Sequence, residues 1–150
     1  MSIDYDTDFY AWAAEQAAVL RSGRLSQLDI AHVAEEIEDL GKRERRALES
    51  RLGALLGHLL KWRFQADSPN RKSWRATINA QRRSIARLLD DNPSLRPQLH
   101  ELLPDAYADA VDRAVAETPL DYDAFPQQWP WTIDEILGQE LPDARSARNG

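Results

Sequence analysis

The feature that most constrains this chain is an apolar stripe that keeps helical phase from Ile30 to Trp62. Ile30, Val33, Ala34, Ile37 and Leu40 recur at three- and four-residue steps, and Leu48, Leu52, Leu55, Leu56 and Leu59 resume the stripe in phase, with Trp62 and Arg63 following. That period marks one face of an α-helix. Gly41 lies between the two runs, where a glycine costs about 1 kcal/mol against alanine in a helix interior. Glu38–Lys42 and Asp39–Arg43 span it as i,i+4 pairs in the favourable acid-before-base order, each contributing roughly 0.2–0.5 kcal/mol. We expect one long helix from Asp29, its capping candidate, to about Ala66, either straight or bent at Gly41.

Shorter elements surround it. A first helix is expected from Thr7 to Ser22, capped by Thr7 and closed by Gly23, with Phe9, Trp12, Ala13, Gln16, Val19 and Leu20 as its buried stripe. Residues 22–27 then form a turn. Ser73 starts a helix to about Asp91 whose inner face is Trp74, Ile78, Ile85, Leu88 and Leu89, with Gln81 in its midst. Asn92-Pro93 ends it, because a residue before proline is pushed out of helical conformation. Ser94 caps a helix through Leu95, Leu99, Leu102 and Leu103, which Pro104 is expected to kink or split before the apolar face resumes from Tyr107 to Val115. Pro119 to Trp131 reads as an extended, aromatic-studded strap. Thr132 and Glu135 then have capping-box spacing for a short last helix. The expected fold is all-α: an irregular helical bundle built on one long central helix, with a C-terminal Pro/Trp-rich strap and a short last helix. We expect a single domain over 1–141 and a frayed tail over 142–150.

Composition narrows the class. One hundred and fifty residues with 43% hydrophobic content and five tryptophans suit one globular domain rather than a disordered chain. There is no cysteine, which removes disulfides and thiolate metal sites and suits a reducing compartment. The apolar clusters fall far short of the roughly 20 residues that cross a bilayer, and the acidic start Met1-Ser2-Ile3-Asp4 is not a secretory signal. A soluble cytoplasmic protein without membrane contact is the expectation. The net charge of −6 conceals an asymmetry: between Lys61 and Arg87 stand eight Lys/Arg and a single acid, Asp67, so that segment carries +7 and the remainder −13.

Four sets of residues could carry chemistry. His32 and Glu36 share a helical face, and Glu36 brought near His58 could form a metal site or an acid/base pair. However, neither His-Glu-x-x-His nor a paired Glu-x-x-His is present. No metal or other cofactor is therefore expected, and no catalytic residue is assigned. Lys61, one turn beyond His58, and Gln81, the polar amide on an apolar face, complete this group. The second set is basic. Arg75, Arg82 and Arg83 should point away from Trp74, Ile78 and Ile85, forming with Arg71, Lys72 and Arg87 a ridge suited to phosphates or to carboxylates such as Glu35, Glu36, Glu38 and Asp39. Trp129 and Trp131 form the third, more simply read as pins holding the strap to the core. Gln81 taken alone is the fourth: its amide could contact a ligand in a pocket or, more simply, bond a neighbouring helix backbone. A nucleophilic serine or phosphate loop is excluded by the lack of G-x-S-x-G and G-x-x-x-x-G-K.

Five phrases occur in order: Tyr5-Asp6-Thr7-Asp8-Phe9-Tyr10-Ala11-Trp12, Ala34-Glu35-Glu36-Ile37-Glu38-Asp39-Leu40-Gly41, His58-Leu59-Leu60-Lys61-Trp62, Ser73-Trp74-Arg75-Ala76-Thr77-Ile78, and Phe125-Pro126 followed by Pro130-Trp131-Thr132. Together they resemble the bacterial domain-of-unknown-function family 29, from Tyr5 to about Leu141. The resemblance implies a compact all-helical bacterial protein and no activity. The first expectation is therefore a small helical protein that binds another protein or a second copy of itself, as a homodimer. Nucleic-acid association through the Arg71–Arg87 helix comes next, and a metal-dependent enzyme using His58 and Glu36 last.

Overall fold

Gly41 does not interrupt the long helix. In the computed structural model, which describes residues 3–142, one helix, α2, runs unbroken over Ile30–Phe64. The other helices are α1 (Phe9–Ser22), α3 (Arg71–Asp91), α4 (Leu99–Glu117) and α5 (Ile133–Leu137), with 3-10 turns at Leu25–Gln27, Pro93–Gln98 and Tyr122–Ala124. No strand occurs among the described residues, so the all-α expectation holds. Of the expected tail, only Pro142 lies within them. Backbone contacts divide the chain into two compact units, Met1–Arg43 and Glu44–Gly150.

In the N-terminal unit, α1 is capped one residue later than expected. The Asp8 carboxylate accepts the Ala11 N–H at 3.0 Å, while the Thr7 hydroxyl donates to the Asp4 carbonyl. Gly23, at φ +73°, closes the helix in the left-handed conformation that side chains disfavour. Trp12, Gln16 and Val19 are buried as the stripe requires, but Phe9 and Leu20 at its edge are exposed. Ile30, Ile37 and Leu40, expected inside, are also exposed, at 67%, 63% and 56%. The α2 stripe is thus continuous in phase and discontinuous in burial.

In the second unit the same stripe is core: Leu48, Leu52, Leu55, Leu56, Leu59 and Leu60 are all buried. Here α2 and α4 come close enough for backbone contact. A methyl group added at Gly57 would meet the Ala110 carbonyl at 3.4 Å and its Cα at 3.7 Å, and one at Gly53 would meet the Ala106 carbonyl at 3.5 Å. Two glycines one turn apart therefore face two alanines one turn apart. The pairings Arg45/Glu101, Gly53/Asp109, Gly57/Arg113 and Lys61/Glu117 climb both helices in the same direction, so α2 and α4 run parallel, with α3 as the return between them.

The remaining elements close this core. Trp74, Ile78, Ile85 and Leu89 of α3 are buried as expected. The helix begins at Arg71, ahead of Ser73, whose hydroxyl donates to the Asn70 carbonyl within the first turn. Pro93–Gln98 is a 3-10 turn rather than the expected α-helix. Pro104 lies inside α4 without splitting it. Its ring is exposed, and the helix forgoes the bond to the His100 carbonyl while Leu102, Leu103, Ala106 and Tyr107 are buried beside it. In the strap, Phe125 and Trp131 are buried, Phe125 edge-on to Phe64 at 5.7 Å, whereas Tyr122 stays exposed. α5 opens with the capping box that the spacing of Thr132 and Glu135 called for, both reciprocal bonds being 3.1 Å.

The α2–α4 contact yields a stability prediction. Gly57→Leu must push atoms beyond Cβ into the α4 backbone, and overpacking of this kind costs about 3 kcal/mol. Gly41→Ala, with nothing within 4 Å of the added methyl, should instead gain about 1 kcal/mol. Urea unfolding midpoints of the two variants measure both shifts.

Candidate functional site

The ionisable residues singled out in the sequence fall into separate clusters. In the N-terminal unit, Asp29 is the hub. Its carboxylate accepts the Trp12 indole N–H at 3.0 Å and meets His32 Nδ1 at 2.8 Å, and its own N–H donates to Gln16 Oε1 at 2.8 Å. The Tyr5 ring stacks on His32 at 4.1 Å and stands edge-on to Trp12 at 4.7 Å. Its hydroxyl donates a short hydrogen bond to Glu36. That bond, more than any other influence, pushes the Tyr5 hydroxyl up to about 12. Bonding to His32 holds the Asp29 carboxyl below its usual range, and the same bond raises the imidazole. Glu36, on the same helix as His32, is thus the partner of a tyrosine.

His58 belongs to the second unit. Its Nδ1 lies 2.9 Å from the Ala54 carbonyl, which can only accept, so Nδ1 carries the proton and Nε2 faces the Lys61 ammonium at 3.4 Å. Burial pushes the His58 imidazole below its ordinary value of 6.5. Lys61 is only 2% exposed, forms a short ion pair with Glu117, and places its ammonium 5.4 Å from the Trp74 ring centroid. The paired ammonium holds the Glu117 carboxyl below its usual range. This gives α2 and α4 a buried cation satisfied by a carboxylate, an imidazole and an aromatic face. Among the described residues, no group of three or more His, Asp or Glu side chains could hold a metal ion.

The basic ridge is smaller than the sequence suggested. Arg82 is buried, not outward-facing: its Nε and Nη2 donate to the Ile136 and Glu135 carbonyls at 2.9 and 3.0 Å, closing the C-terminal end of α5. Arg71 lies over the Trp62 ring at 3.7 Å and donates to the Trp62 carbonyl. Lys72, Arg75, Arg83 and Arg87 remain exposed, and their spacing puts all four on one side of α3. Gln81 is half-buried, and its Oε1 has no hydrogen-bond partner among the described residues; nothing in the structure explains it.

A family model described as "Domain of unknown function DUF29" matches residues 5–141. The chain belongs to this family. Neither a curated protein nor a solved structure matches it. Two of the five phrases quoted above meet in the N-terminal unit, where Tyr5 and Trp12 of the first pack on His32 and Tyr5 bonds Glu36 of the second.

What sequence reasoning missed in this DUF29 protein is a surface. Nine large hydrophobic side chains are exposed among the described residues, and all but Tyr122 lie between Ile3 and Leu40. The only signal available was the length of the α2 stripe. Periodicity says which face is apolar and not what covers it.

Two measurements test the clusters. Glu117→Gln strands a buried ammonium and should cost about 3 kcal/mol, whereas Lys61→Met removes the charge at similar volume and should stay within about 1 kcal/mol of the native protein. The Glu117 carboxyl is depressed in the fold, so its contribution is present above the unfolded pKa and lost as pH falls through the folded one. In an NMR titration, His58 should turn over below 6.5 and His32 above it. It follows that on acidification the His58 region loses stability and the His32 region gains it; coincident midpoints would contradict both assignments.

Proposed function

We propose that this DUF29 protein acts by binding another protein chain through the apolar surface of its N-terminal unit. One observation carries the reading: the exposed large hydrophobics are concentrated between Ile3 and Leu40, where only Trp12 and Val19 are buried apolar side chains of that class. Single exposed apolar residues are ordinary, but a concentration of them in one short segment is characteristic of an interaction site. Ile30, Ile37 and Leu40, at helical spacing, supply a strip that a partner helix can cover. No helix among the described residues is long and apolar enough to cross a membrane. The absence of cysteine suits action in a reducing compartment such as the cytoplasm.

A second reading rests on Lys72, Arg75, Arg83 and Arg87, exposed along one side of α3. Four such cations would neutralise up to four phosphates and give a log–log salt slope of about −3 to −4 with nucleic acid.

Each reading has its own test. Purified under native conditions, the protein should run as a discrete complex, with itself or with another chain, that Ile37→Glu with Leu40→Glu disperses. A lone monomer throughout, with no co-purifying chain, would sink the first reading. The second predicts that a fluorescent single-stranded oligonucleotide binds at low salt and is released by Arg75→Glu with Arg83→Glu. Arg82 is unsuitable for that test because its loss uncaps α5.

A further inference from the structure

Among the described residues two cations are buried, Lys61 and Arg82, and only one has its charge met. Lys61 is paired with Glu117. Arg82 is 7% exposed, yet no carboxylate of the described residues forms an ion pair with it. Its Nε and Nη2 donate to the Ile136 and Glu135 carbonyls, and its Nη1 has no hydrogen-bond partner among the described residues. Carbonyls satisfy donors without cancelling a full charge, and buried charges are ordinarily paired. Burial, with no carboxylate to oppose it, pushes the guanidinium below its ordinary value. An unmade bond at a buried donor costs about 1–3 kcal/mol, and more on a charged group.

The same side chain lines a cavity. Between α3 and the residues that end α5 lies a space of about 440 Å³. Asn79, Arg82, Arg83 and Ala86 form its α3 side, at the i, i+3, i+4 and i+7 spacing of one helix face. Leu137 and Gln139 come from the other side. No acid lines it, for the nearby Glu135 and Glu140 line the cleft at Trp131 instead. The recess thus holds two guanidinium groups and two amides, with Ala86 and Leu137 as its aliphatic part. A small-molecule pocket has this character, a few convergent polar groups in an enclosure of roughly 300–1,000 Å³.

We propose that this cavity binds a small phosphate monoester, with the phosphate at Arg82 and Arg83 and the organic part against Leu137 and Ala86. The charges favour phosphate over carboxylate. A phosphate monoester carries about −1.5 to −2 at pH 7, which matches two guanidinium groups, whereas a single carboxylate leaves one of them unmet. Arg83 is exposed and has no ion pair among the described residues, so its whole planar fork is open to the phosphate oxygens. Arg82 is already held by two carbonyls, so little of its freedom is lost on binding. The site lies wholly in the second unit and is independent of the protein-binding surface of the N-terminal one. It also differs from the α3 ridge, since none of Lys72, Arg75 and Arg87 lines the cavity.

Calorimetric titration with phenyl phosphate at constant ionic strength tests the site. The ligand should bind saturably, and acetate at the same concentrations should not. Ala86→Leu fills the recess without altering a charge, and Arg83→Gln removes one of the two cations. Each should weaken phenyl phosphate at least about tenfold. Both positions are exposed, so circular dichroism and the melting temperature should show the fold unchanged. Arg75→Gln, on the same helix but two turns from Arg82, should change the affinity by no more than about twofold at physiological salt. An oligonucleotide without terminal phosphates should fail to displace phenyl phosphate; displacement would make the recess part of a nucleic-acid surface and overturn the small-molecule assignment. No binding at millimolar phenyl phosphate, an equal response to acetate, or native affinity in Ala86→Leu would each overturn the proposal.

Discussion

The second unit depends on the closeness of α2 to α4 at Gly53 and Gly57. Ordinary helix pairs are held apart by side chains, with axes about 8–10 Å apart. Here the glycines meet the backbone of Ala106 and Ala110, with the Asp109 carboxylate beside Gly53 and the Arg113 Cβ beside Gly57. Its register then determines what else can meet. One turn beyond Gly57, Lys61 comes opposite Glu117, and two turns before Gly53, Arg45 comes opposite Glu101 and Gln98. A larger residue in the seam would move these partners apart as well as disturb the core.

Lys61 shows why that register matters. A lysine only 2% exposed is costly to bury unless its charge is met. Its partner Glu117 is 55% exposed, so the pair adds little over an apolar substitute while the stranded ammonium punishes misalignment. The ion pair therefore contributes specificity of alignment more than net stability. His58, held by the Ala54 carbonyl so that Nε2 faces the ammonium, and the nearby Trp74 ring complete the surroundings. In this way α3 contributes to a site whose charged members stand on α2 and α4.

Much of the fold was legible because it is local. The period of the α2 stripe gave its length through Gly41, and the spacing of Thr132 and Glu135 gave a capping box that forms as written. The inner face of α3 was legible for the same reason, yet Arg82 was misplaced. Its position, four residues from Ile78 and eight from Trp74, lies on that inner face; residue type was allowed to override spacing. The sites were far less legible, since Tyr5 as the partner of Glu36 and Glu117 as the partner of Lys61 are products of packing between distant segments. The exposure of Ile30, Ile37 and Leu40 was hidden for a related reason: an apolar face is a property of the helix, and its cover belongs to something else.

The parallel course of α2 and α4 also has a consequence in time. Antiparallel neighbours can zip together from a short turn, but residues such as Lys61 and Glu117 are 56 positions apart, with all of α3 between them. The chain must give up the freedom of that long loop before the glycine–alanine contact returns anything. Helices that pair only across such a separation raise the contact order of an otherwise locally connected helical protein and slow its folding. The same small residues that let the two backbones touch thus join segments far apart in the chain, so their pairing carries a loop-closure cost that a neighbouring helix pair would not.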